Sequence, residues 1–160
     1  MAKSKLNLED SLNEEFNLLA IHTDLIDYRL AYFLNKKLGL NLSRKTFDLN
    51  FVNSKASFSV FEYINEENLL KWNLISNIYN HNYIEKSENS DLFTSSNELI
   101  KKFNLLAEYE NVNYLLKVDK NEIQIDLDEV SKKIKSIPQI ITLYNINKDL
   151  KNKEHLFFLY

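Results

Sequence analysis

The chain has 160 residues, of which 44% are hydrophobic, 12% aromatic and 27% charged, a composition that suits one domain with a core of its own. A formal net charge of -3 and a pI near 5.7 provide no global attraction to nucleic acid or to an anionic membrane. The absence of cysteine excludes disulfides and thiolate metal sites. A lone glycine, Gly39, cannot supply the close backbone approaches of a phosphate-cradling or dinucleotide loop.

Residues 1–14 become polar within a few positions of Met1, lack the apolar stretch of a secretory leader, and read as flexible. No run approaches the roughly 20 apolar residues that a membrane helix needs, so the expectation is a cytoplasmic protein with no membrane contact. Phe16 to Ile21 is an apolar run that reads as a first strand. Asp24 to Leu38 reads as the main helix, with Thr23 or Asp24 as N-cap, Asp24 and Asp27 in the first turn, Lys36 and Lys37 in the last, and Gly39 at the C-terminal end. At 100° per residue, Tyr28 and Tyr32 lie on one side of this helix and Ile26 and Phe33 on nearly the opposite side. A surface helix carries one apolar stripe, so this one calls for cover on more than one side. Part of that cover is expected from a second copy, which predicts a dimer, with Ile26, Phe33 and the later Trp72 as interface candidates.

Thr46 to Val52, Ser57 to Ile64 and Leu69 to Tyr79 read as strands of an antiparallel meander, separated by short polar stretches. Residues 80–96 read as an exposed loop. Ser95 and Glu98 are spaced as a capping box for a short helix toward Phe103. A strand is expected at Asn113 to Val118 and another at Glu122 to Ile125. A second helix is expected over Asp126 to Ser136, with Asp126 and Glu129 as its capping box and Val130 and Ile134 facing inward. Pro138 follows it, Gln139 to Ile146 is a further strand, and Leu156 to Tyr160 a last one. The fold class is α+β: a single domain with a mostly antiparallel sheet and two principal helices.

The segment Leu106-Ala107-Glu108-Tyr109-Glu110-Asn111-Val112-Asn113-Tyr114 resembles the signature of the IPExxxVDY family of bacteria. Leu106, Ala107 and Glu108 stand for its first three positions, and Val112, Asn113 and Tyr114 for its last three, with Asn113 where the family has Asp. Leu19 to Thr23, followed by Asp27 to Asn35, is similar to the family's N-terminal region, and a looser likeness runs through Ala56-Ser57-Phe58 to Ile137-Pro138-Gln139. The resemblance thus covers most of the chain. It implies no activity. It marks Glu108 as the residue of the string most worth following, and the departure at Asn113 argues against a catalytic Asp there.

Candidate chemistry is sparse. His22, Asp24, Asp27 and Arg29 gather where the first strand meets the main helix and could form an acid/base group. The same residues suit a helix start, where acids complement the dipole and Arg29 pairs with one of them. His81 and His155 have no HxxxH or HExxH spacing, so no metal or other cofactor is expected. Glu108 and Glu110, two apart on an extended segment, would share one face. Lys55 to Tyr63 interleaves aromatics on a strand in the manner of RNA-recognition sheets, although Phe58 and Val60 alternate with Phe61 and Tyr63 as they would in a strand buried on both faces. The functional expectation is a non-catalytic binding protein that self-associates, through the main helix or an exposed sheet edge, and can take a protein partner. An RNA-associated factor is the second reading, and an enzyme using His22 with Asp24 or Asp27 the third.

Overall fold

The computed structural model of the protein describes residues 16–51, 54–84, 98–119 and 124–146. Ten strands and two α-helices follow in chain order: β1 (Phe16–Thr23), α1 (Asp27–Leu38), β2 (Ser43–Arg44), β3 (Leu49–Asn50), β4 (Ser57–Phe58), β5 (Val60–Asn65), β6 (Leu70–Ser76), β7 (Ile78–Ile84), β8 (Glu98–Asn104), β9 (Tyr114–Asp119), α2 (Leu127–Lys135) and β10 (Ile140–Asn145). Six of the strands form one sheet in the order β10-β1-β9-β6-β5-β2, while β3–β4 and β7–β8 are separate two-stranded pieces. Every pairing is antiparallel. The fold is a single α+β domain with two helices and a mostly antiparallel sheet.

The large sheet is buried on both faces. On one, Leu19 and Ile21 of β1, Trp72 and Leu74 of β6, and Leu116 and Val118 of β9 pack beneath Leu30 and Leu34 of α1 and Val130 and Ile134 of α2. On the other, Leu18 and Ala20 of β1, Ile75 of β6 and Leu115 of β9 meet Phe58, Leu105, Leu106 and Val112. Cover on both faces explains why Leu18–Ile21 of β1 and Tyr114–Leu116 of β9 are apolar without alternation. It also decides the aromatic strand. Phe58 and Phe61 are buried on opposite faces, so they cannot stack on bases.

The sheet ends are blunted. Strand β2 has two residues, and the register slips between His22 and Thr23, whose partners are Thr142 and Ile140. Ile141 is therefore the extra residue of a bulge in edge strand β10, a device that discourages further strand pairing.

Several expectations are corrected. Helix α1 begins at Asp27, three residues later than expected, because neither Thr23 nor Asp24 caps it. The Thr23 hydroxyl instead donates to the Gln139 carbonyl (2.8 Å) and accepts from the Leu25 N–H (3.2 Å). Gly39 ends the helix as read, in the left-handed conformation at φ 68°. No continuous strand spans 46–51, since β2 and β3 flank an irregular stretch, and Val52 lies outside the described residues. The strand expected over 57–64 breaks at Ser59, where the chain passes from the β3–β4 pair to the large sheet, and the one over 69–79 breaks at Asn77. His81–Ile84 belong to β7 and Glu98–Asn104 to β8, so neither the expected loop nor the capping-box helix exists at those positions. Ser95, with the rest of 85–97, lies outside the described residues, as do residues 1–14, 122–123 and 156–160. Gln124 and Ile125 are not in a strand. Helix α2 matches its expectation: the Asp126 carboxylate accepts from the Asp128 and Glu129 N–H groups at 3.0 and 3.1 Å, with Val130 and Ile134 buried. Glu129 is drawn instead to Lys133, 2.7 Å away.

Candidate functional site

Both stretches that carry the resemblance converge on one corner of the sheet. Ile21 of β1 sits opposite Tyr114 of β9. Beyond that pair the Asn113 N–H donates to the Ile21 carbonyl (3.1 Å) and the Asn113 side-chain oxygen accepts from the Thr23 N–H (3.1 Å). The Tyr114 hydroxyl reaches back to the Leu25 carbonyl at 2.9 Å, fixing the chain between β1 and α1. Burial, with the nearby negative charge of Asp27, pushes this phenol up to about 12. It stays a hydrogen-bond donor across the physiological range. An Asp at position 113 would accept the same N–H, so the Asn keeps the structural contact that an acid could make.

The remainder of the string is a turn rather than an extended segment. Ala107–Tyr109 form one turn of 3-10 helix, so Glu108 and Glu110 do not share a strand face and make no carboxylate pair of the expected kind. Glu108 is exposed. The Glu110 backbone carbonyl accepts from the Lys102 ammonium (2.8 Å) and the Asn104 amide (2.9 Å).

Holding this turn to the sheet is Asn77, fully buried at the junction of β6 and β7. Its amide nitrogen donates to the carbonyls of Tyr109 (2.8 Å) and Val112 (2.9 Å), and its amide oxygen accepts from the Leu106 N–H (2.8 Å). Its backbone also donates to the Asn113 carbonyl and accepts from the Leu105 N–H, both at 2.9 Å. Four hydrogen bonds thus tie one residue to the signature segment, and a fifth holds Leu105 just before it. Nothing in the sequence distinguishes Asn77 from the 21 other asparagines.

Between this corner and the base of the β7–β8 ribbon lies an open depression of about 520 Å³, lined in part by Thr23, Asp24, Asn80, Lys102, Asn113 and Tyr114. It presents one carboxylate, one ammonium and several amide and hydroxyl groups, a set able to hold a small polar molecule. A catalytic group is not assembled there. His22 alternates onto the opposite face of β1, where its ring stacks on Tyr144 (centroids 5.6 Å apart) and its Nε2 lies 3.2 Å from the Tyr144 hydroxyl. Asp27 accepts from the Tyr28 N–H at 2.7 Å, and Asp24 and Arg29 are exposed. The Ser76 hydroxyl donates to the Ile78 carbonyl (2.9 Å). Of the four residues proposed for acid/base work, the depression includes Asp24 alone. Among the described residues, no three His, Asp or Glu side chains gather as a metal site, and no helix is long and apolar enough to cross a membrane.

The interface candidates separate as well. Trp72 is 4% exposed and fills the helix-side core, which leaves it nothing to offer a partner; Phe33 is half-buried against the same core. Ile26 is exposed at the start of α1, and the large apolar surface of the helix is Tyr28 and Tyr32, 61% and 60% exposed. A second polar feature sits on β5 and β6. Glu62 receives Lys45 (3.1 Å), Lys71 (3.0 Å) and the Asn73 amide (3.3 Å). Burial would raise its carboxyl, but those donors outweigh it and hold the group below the usual carboxylate range.

No family model, no curated protein and no solved structure matches the chain.

Proposed function

We propose that this is a non-catalytic binding protein of the IPExxxVDY kind, and that it associates with a second copy of itself through the outward face of α1. The observation that carries the proposal is the pair Tyr28 and Tyr32, one helical turn apart and each more than half exposed. Tyr32 also packs edge-on against Phe33, with centroids 5.6 Å apart. Tyrosine offers a partner large apolar area at low entropic cost together with a hydroxyl. Separation of His22 from Asp24 and Asp27 supports a role without acid/base chemistry, and the use of Asn113 and Tyr114 as backbone clamps supports reading the signature as architecture.

Two rings of about 150–250 Å² each fall short of the roughly 800 Å² per partner of a stable interface. The expected association is therefore weak, in the micromolar range or above. The test is light scattering on a sizing column with the wild type and Tyr28→Glu/Tyr32→Glu. The wild type should approach twice its 19.0 kDa mass as concentration rises, and the variant should stay monomeric with an unchanged circular dichroism spectrum. Equal masses for both at every concentration would remove α1 as an interface.

A further inference from the structure

Strands β7 and β8 leave the large sheet at Asn77 and pair only with one another among the described residues. Their register sets Tyr79 opposite Phe103, His81 opposite Lys101 and Tyr83 opposite Leu99. Alternation along both strands brings these six side chains to one face of the ribbon. The face is anchored at its base, where the Tyr79 ring meets Phe58 and Phe103, each at a centroid distance of 6.4 Å, and packs on the buried cluster. From there three rings rise toward solvent. His81 follows Tyr79 at 6.2 Å with planes 25° apart, and Tyr83 follows His81 at 6.5 Å with planes 12° apart. Exposure grows along the series, from the half-buried Tyr79 to Tyr83 at 38%. The exposed Lys101 ammonium lies 5.1 Å from the Phe103 ring centre.

Core packing accounts for Tyr79 but not for Tyr83, which is 38% exposed and is packed against neither buried cluster. Nor do the planes of the outer rings interlock edge-on, as Tyr32 and Phe33 do. They repeat in near-parallel register, each ring carrying a polar edge. On this face the described residues supply one ammonium and one imidazole and no carboxylate, in a chain whose net charge is -3. Regularly spaced flat rings flanked by a cation are what unpaired bases and their phosphates require. The other face of the ribbon, with Asn80 and Lys102, turns toward the depression beside the signature turn.

We propose that the Tyr79–His81–Tyr83 ladder, with Lys101 beside it, is a binding platform for single-stranded nucleic acid. Bases stack on the outer rings, and Lys101 meets the backbone phosphate. The platform is independent of α1, so it stands or falls separately from self-association.

The experiment is fluorescence anisotropy of the full chain with labelled 12-nucleotide oligo-U and oligo-dT, against a hairpin duplex of equal length, from low to physiological salt. Both single strands should bind in low salt, more tightly than the duplex, and weaken steeply as salt rises. A difference between oligo-U and oligo-dT would assign RNA or DNA as the preferred source of the strand. Loss of one stacking ring in Tyr83→Ala or His81→Ala should weaken binding by roughly 5- to 100-fold. Tyr83→Phe, which keeps the ring, should bind within about twofold of wild type. Lys101→Ala should lower the salt slope by about one ion. These side chains are at least partly exposed, so folding should survive, and the circular dichroism spectrum checks it. Absence of binding to either single strand at low salt would overturn the proposal. So would equal affinity for the duplex, or binding unchanged in Tyr83→Ala and His81→Ala.

Discussion

Replacing Asn77 with alanine removes the side-chain hydrogen bonds that hold the 106–112 turn to the sheet. Two of them, to the Val112 carbonyl and from the Leu106 N–H, are buried, and the third, to the Tyr109 carbonyl, is partly so. A buried backbone group stripped of its partner costs about 1–3 kcal/mol. Two such groups, plus a discounted third that water can reach, give a loss of roughly 3–5 kcal/mol, a large share of the ~5–15 kcal/mol typical of a domain. Urea unfolding followed by far-UV circular dichroism is the assay. With a slope of about 2 kcal/mol per molar, the midpoint should fall by about 2 M. Asn77→Asp should be as damaging, since it keeps one acceptor but sets a carboxylate against two carbonyls. Asn77→Ala within about 1 kcal/mol of wild type would refute the reasoning, because the side-chain amide would then add little to the turn's other contacts.

Acid should act through Glu62. Its pKa is depressed in the folded state, so it contributes stability above the ordinary carboxylate pKa of about 4.3, and that contribution is lost as pH falls through the lower folded value. Thermal melts between pH 7 and pH 3 should show a flatter acid limb for Glu62→Gln than for wild type; parallel curves would mean the lysines contribute nothing to the carboxylate. At the end of α1, Gly39 has φ 68° with open space around a built Cβ, so Gly39→Ala should cost only the left-handed strain, about 1 kcal/mol. A melting temperature unchanged in Gly39→Ala would contradict that assignment.

How far the fold could be read depended on whether the relevant partner was near in sequence. Gly39 after a basic last turn and Asp126 before an acidic first turn are local signals, and both ends form as read. The start of α1 was hidden because Thr23, a good capping residue, is taken by the Gln139 carbonyl 116 positions away. Residues 80–84 looked like loop because Asn80, His81 and Asn82 are polar, and a ribbon with one open face has a pattern that is only half apolar. In the candidate site the signature string and the β1–α1 junction were visible, but their meeting was not, since it depends on the pairing of β1 with β9. Asn77 carried no signal at all: its partners lie 29 to 35 residues onward. The His22 cluster was adjacent in sequence yet does not assemble, because His22 stacks on Tyr144 while Asp24 lies past the end of β1, beside the depression.

Sedimentation velocity of the wild-type chain over a hundredfold range of concentration tests the central claim most directly, because it needs no variant and no assumption about the contact surface. Reversible self-association predicts a weight-average coefficient that climbs with concentration from that of a 19.0 kDa monomer toward that of its dimer. A single monomeric species throughout would contradict self-association and leave the exposed tyrosines of α1 to a different partner.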